Sequence, residues 1–173
     1  MNSEGSSSRK KQIREERAMA ASKYKPKRVR LLLVAEAPPG ADDRYFYFED
    51  VREQDSLFRE VTKAIVGETP TRHNKPEFLS RLMRKGVFLV DLKLDPVDGT
   101  ELESYVPDLI TRCRELKPDK IILIKVTVFD AAYAPLRDAG LPVIDKRLPF
   151  PGSGRQKEFR DGMLGIMGTV SLD

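Results

Sequence analysis

One cysteine, one histidine and no tryptophan occur in the 173 residues. With Cys113 alone, an intrachain disulfide, a zinc knuckle and a four-thiolate iron–sulfur cluster are excluded. With His73 alone, no site can be built on two imidazoles. That histidine lies in a polar Thr-Arg-His-Asn turn between two expected helices, the ordinary setting of a solvated imidazole rather than of a triad member. Long apolar runs are missing as well: nothing approaches the ~20 residues a membrane helix needs, and the N-terminus has no apolar signal-peptide core. These absences point to a soluble, intracellular and cytoplasmic chain, nucleoid-associated if it binds DNA. Its length suits one domain, and 40% hydrophobic residues suffice for one core.

Acidic charge is scarce at one end. Residues 1–30 hold ten bases against three acids, a balance of +7, so the remainder carries −3 of the overall +4. The expected organisation is a basic, Ser-rich, flexible or partly helical arm over residues 1–29, followed by a single domain over 30–173. Such an arm can hold nucleic acid through salt-dependent phosphate contacts, or serve only as a solubilising extension.

From Arg30 onward, strand-like and helix-like patterns alternate. Leu31 to Ala37, Val87 to Leu92, Lys120 to Val126 and Leu141 to Ile144 read as strands. Glu53 to Val66, Asn74 to Lys85, Leu102 to Leu116 with a break near Pro107, Phe129 to Ala139 and Arg155 to Met167 read as helices. Alternation of this kind predicts parallel pairing with helices on both faces: a three-layer α/β/α sandwich around a central four-stranded parallel sheet.

The most informative segment is Leu31–Gly40, LLLVAEAPPG, a buried-type strand that ends in a carboxylate and is stopped at once by two prolines and a glycine. This order puts Glu36 at the carboxyl end of a strand, where open α/β sheets keep their ligand crevices. Neither Gly-x-Gly-x-x-Gly nor a phosphate-loop lysine follows that strand, which counts against an ordinary nucleotide-binding or unrelated hydrolase fold.

Several pieces fall in a familiar order. They are Ala35-Glu36-Ala37-Pro38-Pro39-Gly40, the aromatic stretch Tyr45-Phe46-Tyr47-Phe48, the strand Val87–Leu92 with Asp91 near its end, Leu116–Ile124 with Ala131-Ala132 beyond it, and the loop Leu148-Pro-Phe-Pro-Gly-Ser-Gly-Arg155. In this order and spacing, residues 30–168 resemble the uracil-DNA glycosylase superfamily. The resemblance implies that fold, a monomer acting on DNA without metal cluster, cofactor or membrane, and hydrolysis of the N-glycosidic bond of a damaged or deaminated base flipped from the helix. It assigns catalysis to Glu36, base binding to Phe46, Tyr47 and Asp91, and DNA contact to Phe150, Gly152, Ser153 and Arg155. The chain departs from the family pattern in three ways. The second-motif histidine is replaced by Leu148 or Phe150, the cluster cysteines are missing, and the first motif opens on Ala35 and carries the extra Pro39.

Each residue also has a plainer reading. Glu36 can orient water or support positive charge on the sugar, as carboxylates do in glycoside hydrolysis, or can simply accept backbone N–H groups at a strand end. Tyr45, Phe46 and Tyr47 can stack on a base or lid the core. Where the family commonly has asparagine, an ionised Asp91 satisfies uracil N3 but repels O4, so plain uracil is not the expected best substrate. Equally, Asp91 can be a buried carboxylate bonded to nearby backbone. Phe150 can wedge into a minor groove with Arg155 on phosphate, while backbone N–H groups near Gly152 and Ser153 replace the histidine. Otherwise Arg155 only begins a helix. A catalytically silent module binding nucleic acid or a nucleobase is the alternative to an enzyme.

Overall fold

The computed structural model describes residues 3–51 and 56–172. Its centre is a parallel sheet of three strands, β1 (Leu31–Ala35), β2 (Val87–Asp91) and β3 (Lys120–Leu123), in the order β2-β1-β3. Every residue of β1 is buried, which is why its sequence is continuously apolar rather than alternating. The register pairs Ala35 with Asp91 and Val34 with Leu123, so the two candidate carboxylates leave the sheet at the same edge.

Helices α2 (Ser56–Val66) and α3 (Lys75–Arg84) connect β1 to β2, and α4 (Val106–Leu116), entered through a short 3₁₀ turn, connects β2 to β3. The first connection moves outward from β1 and the second returns across it, so right-handed crossovers put them on opposite faces. The packing agrees. α2 contacts α3 and α6 (Gln156–Met167), whereas α4, the 3₁₀ turn and α5 (Val126–Asp138) contact one another. Pro76 and Pro107 sit in the first turns of α3 and α4, where a missing N–H costs nothing. The expected start of α2 at Glu53 lies outside the described residues.

The sheet has three strands rather than the expected four. Leu141–Ile144 contributes a single bridge, in which Ile121 N–H donates to the Pro142 carbonyl at 2.9 Å and Ile144 N–H to the Ile121 carbonyl at 2.8 Å. Pro142 has no N–H, and Lys146 N–H, the next donor that would face β3, turns back to the Ile144 carbonyl at 2.9 Å, so the ladder does not extend. β3 is also shorter than expected. Lys125 takes φ +86° and turns the chain into α5 three residues before Phe129.

Residues 3–23 form the helix α1 (Ser3–Lys23), laid against the domain. Arg9 bonds Asp42, Arg14 bonds Asp95, Lys23 bonds Glu49, and Arg17 is buried with its guanidinium over the Tyr45 ring. Arg28, beyond the helix, pairs with Asp119. Much of the positive charge counted in this segment therefore faces acids of the same chain.

Candidate functional site

β1 sends its connection toward β2, and β3 sends its own the other way, so the carboxyl ends of β1 and β3 flank the point where the winding reverses. Glu36 stands there. Its Oε1 accepts from Lys125 Nζ at 2.9 Å and its Oε2 from Thr127 Oγ1 at 2.7 Å, both donors coming from the β3–α5 junction. The Glu36 backbone carbonyl accepts Lys93 N–H at 2.9 Å, which fixes the residue against the β2 side as well. The Glu36 side chain is only 12% exposed, and that of Lys125 is 37% exposed.

Beside Glu36 opens a hollow of about 230 Å³, lined by Ala37, Pro38, Pro39, Tyr45, Phe46, Leu57, Leu89, Asp91 and Phe150. The first motif, the aromatic stretch, the end of β2 and the loop after Leu148 thus converge on one space. Aromatic walls with a single carboxylate give it the makings of a site for a flat polar ring. A second hollow, of about 350 Å³, lies under α1 and shares Pro38, Tyr45, Leu89 and Asp91 with the first. A larger groove of about 580 Å³ runs between residues 146–149 and α6, where Arg147 pairs with Asp130 and Lys157 with Asp161.

Asp91 is held by its main chain. Arg112 of α4 donates from Nη1 to the Asp91 carbonyl at 2.8 Å and from Nη2 to the Leu92 carbonyl at 3.1 Å, while Asp108 one turn back steadies the guanidinium. Burial, reinforced by the charge of Asp91, raises the Tyr45 phenol well above its usual range, so Tyr45 presents a neutral hydroxyl. Buried Lys75 donates to the Tyr45 carbonyl at 3.0 Å, anchoring the aromatic stretch to α3.

The aromatic assignment needs one correction. Tyr45 and Phe46 line the hollow, but Tyr47 does not: its ring packs on Tyr24 and Phe88, and its hydroxyl accepts Leu89 N–H at 2.7 Å. A turn over Tyr45–Phe48, closed by Phe48 N–H to the Tyr45 carbonyl at 3.1 Å, sends it to the outer edge of β2. In the loop, Phe150 is 42% exposed and forms part of the hollow's wall. Gly152 N–H, expected to serve a departing base, instead donates to the Phe150 carbonyl at 2.9 Å. A Cβ on Gly152 would stand 3.1 Å from the Phe150 ring, so the bare backbone is what lets the ring lie there. Ser153 turns the loop at φ +53°, and Arg155 forms two 3.0 Å hydrogen bonds to Glu158 at the start of α6.

Sequence reasoning missed Lys125, Thr127, Arg112 and Lys75. Lys125 left a trace, a charge interrupting the apolar run from Ile121 to Val126. Arg112 left only its four-residue spacing from Asp108. Among the described residues no group of three or more His, Cys, Asp or Glu could hold a metal ion, and no helix is long and apolar enough to cross a membrane. No family model, curated protein or solved structure matches this chain.

Proposed function

We propose that the chain is a DNA glycosylase-like protein of the uracil-DNA glycosylase type, hydrolysing the N-glycosidic bond of a damaged or deaminated base turned out of DNA. The observation that carries this reading is the hollow at the carboxyl edge of the sheet, lined by Tyr45, Phe46, Phe150 and Asp91 and by Ala37, the residue after Glu36. The base enters between the aromatic rings and meets Asp91. Each Glu36 oxygen accepts one hydrogen bond within the protein and keeps a lone pair for a water or for the sugar's developing positive charge. Water attacks the anomeric carbon, the carbon–nitrogen bond breaks with its electron pair leaving on the base, and the proton the water gives up neutralises the base.

A second reading, a silent module that binds a nucleobase or nucleotide, draws on the loop. Gly152 N–H and Arg155 are both engaged within the protein, so departing-base stabilisation and phosphate contact each lack one expected donor. Oligonucleotides bearing uracil, hypoxanthine, xanthine or mismatched thymine, treated with alkali after incubation, separate the two. Strand breaks that vanish in Glu36→Ala support the enzyme. Intact strands with every base, together with retention of a free base by the protein, support the module.

A further inference from the structure

Lys125 adopts a backbone conformation, φ +86° and ψ +137°, that side chains other than hydrogen avoid. The residue nonetheless carries one of the longest side chains, at the junction where β3 ends and α5 begins. Nothing about the turn itself asks for lysine. Glycine would take these angles without strain, and glycine at the residue preceding a helix is well tolerated. What the lysine adds is its ammonium, 2.9 Å from Glu36 Oε1, with Thr127 two residues later at 2.7 Å from Oε2.

The alternative is that the ion pair serves the fold alone. The Lys125 side chain is 37% exposed and that of Glu36 12%, so the pair offsets part of what a non-glycine residue forfeits at such angles. Backbone strain maintained at the mouth of a crevice, by a residue whose side chain reaches a carboxylate there, is the pattern of a positioning group. We infer that Lys125, assisted by Thr127, is retained to hold the Glu36 carboxylate in a fixed orientation next to the hollow. Grasping both oxygens from the β3–α5 side fixes the plane of the carboxylate and leaves each oxygen a lone pair for water or sugar. This inference rests on the glycosylase reading.

Lys125→Gly removes strain and ammonium together. The expected result is a kcat at least tenfold lower. KM should stay within twofold, since the walls of the hollow are untouched. Lys125→Arg, which can still donate to Glu36 but keeps the strained backbone, should restore part of kcat at the wild-type melting temperature. Thr127→Val should lower kcat less than the glycine variant. Undiminished kcat in Lys125→Gly overturns the inference, as does a folded Lys125→Arg protein no more active than the glycine variant. Failure of the wild-type protein to release any of the four bases is a different result: it removes the glycosylase reading and this inference with it.

Discussion

The hydroxyl of Tyr47 accepts the N–H of Leu89 at 2.7 Å, on the side of β2 that has no strand beside it among the described residues. An edge strand exposes N–H and C=O groups that must find partners, and here a phenol from the aromatic stretch supplies one within the core. Tyr47→Phe keeps the ring packing against Phe88 and Tyr24 but leaves a buried donor unpaired. Urea unfolding should show a loss of about 1–3 kcal/mol. Base release should be unaffected, because the ring lies outside the hollow.

Gly86 joins α3 to β2 at φ +79°, and a Cβ there would lie 2.8 Å from Cγ of Arg30. Its carbonyl accepts from Arg30 N–H at 2.8 Å and from Leu31 N–H at 3.2 Å, so a shift at this turn disturbs the first rung of the sheet. The left-handed conformation alone costs a side chain about 1–2 kcal/mol. Gly86→Ala should therefore unfold at lower denaturant by at least that amount. Gly67→Ala, also at positive φ but with open space around the added carbon, should lose less.

Cys113 is wholly buried on α4, and burial pushes its thiol up to about 11, with the charge of Arg112 acting weakly the other way. A thiol-specific reagent at pH 8 should leave the native protein unlabelled and react once urea unfolds it. The linkage sign follows. The unfolded thiol ionises near ~8.5 while the folded one stays protonated, so the unfolded state binds fewer protons across this window. Stability from this group is complete below the unfolded value, declines as pH rises, and is gone above about 11. Chemical denaturation between pH 8 and 11 measures that slope.

Lys10 and Lys11 lie on α1, and no ion pair binds either among the described residues, whereas Arg9, Arg14 and Lys23 face acids of the domain. If the segment contributes to DNA affinity, those two lysines carry it. Replacing both with glutamine should weaken binding uniformly across sequences and reduce the salt slope by up to ~2. Deleting residues 1–29 is a poorer test, because it also removes buried Arg17 and Tyr24.

How far the sequence discloses this molecule depends on whether a feature is local. β1 was legible because burial on both faces writes an unbroken apolar run, and α3 because Pro76 and Gly86 punctuate it. The fourth strand is a single bridge, and the pattern at Leu141–Ile144 says nothing of the Lys146 N–H folding back on Ile144. Glu36 and Asp91 could be placed at one edge from strand ends alone. Their partners could not, since Lys125 is 89 residues from Glu36 and Arg112 is 21 from Asp91. Tyr47 was misassigned for a related reason: four consecutive aromatics do not reveal which ring faces the hollow and which packs behind β2.

Asp91 offers the sharpest test of specificity. It borders the hollow with its carbonyl pinned by Arg112, so a change confined to the side chain should leave its placement intact. An ionised carboxylate accepts hydrogen bonds but donates none, which suits a ring N–H or exocyclic amino group and opposes a carbonyl. Asp91→Asn exchanges one acceptor for a donor at nearly constant shape. Removing one repulsive contact of ~1–3 kcal/mol should raise uracil release roughly tenfold relative to a base bearing an amino group. The measurement is the ratio of kcat/KM for uracil and xanthine against that for cytosine-type substrates in the two proteins. A variant with uracil release equal to or below the wild type would show that Asp91 does not read the base edge.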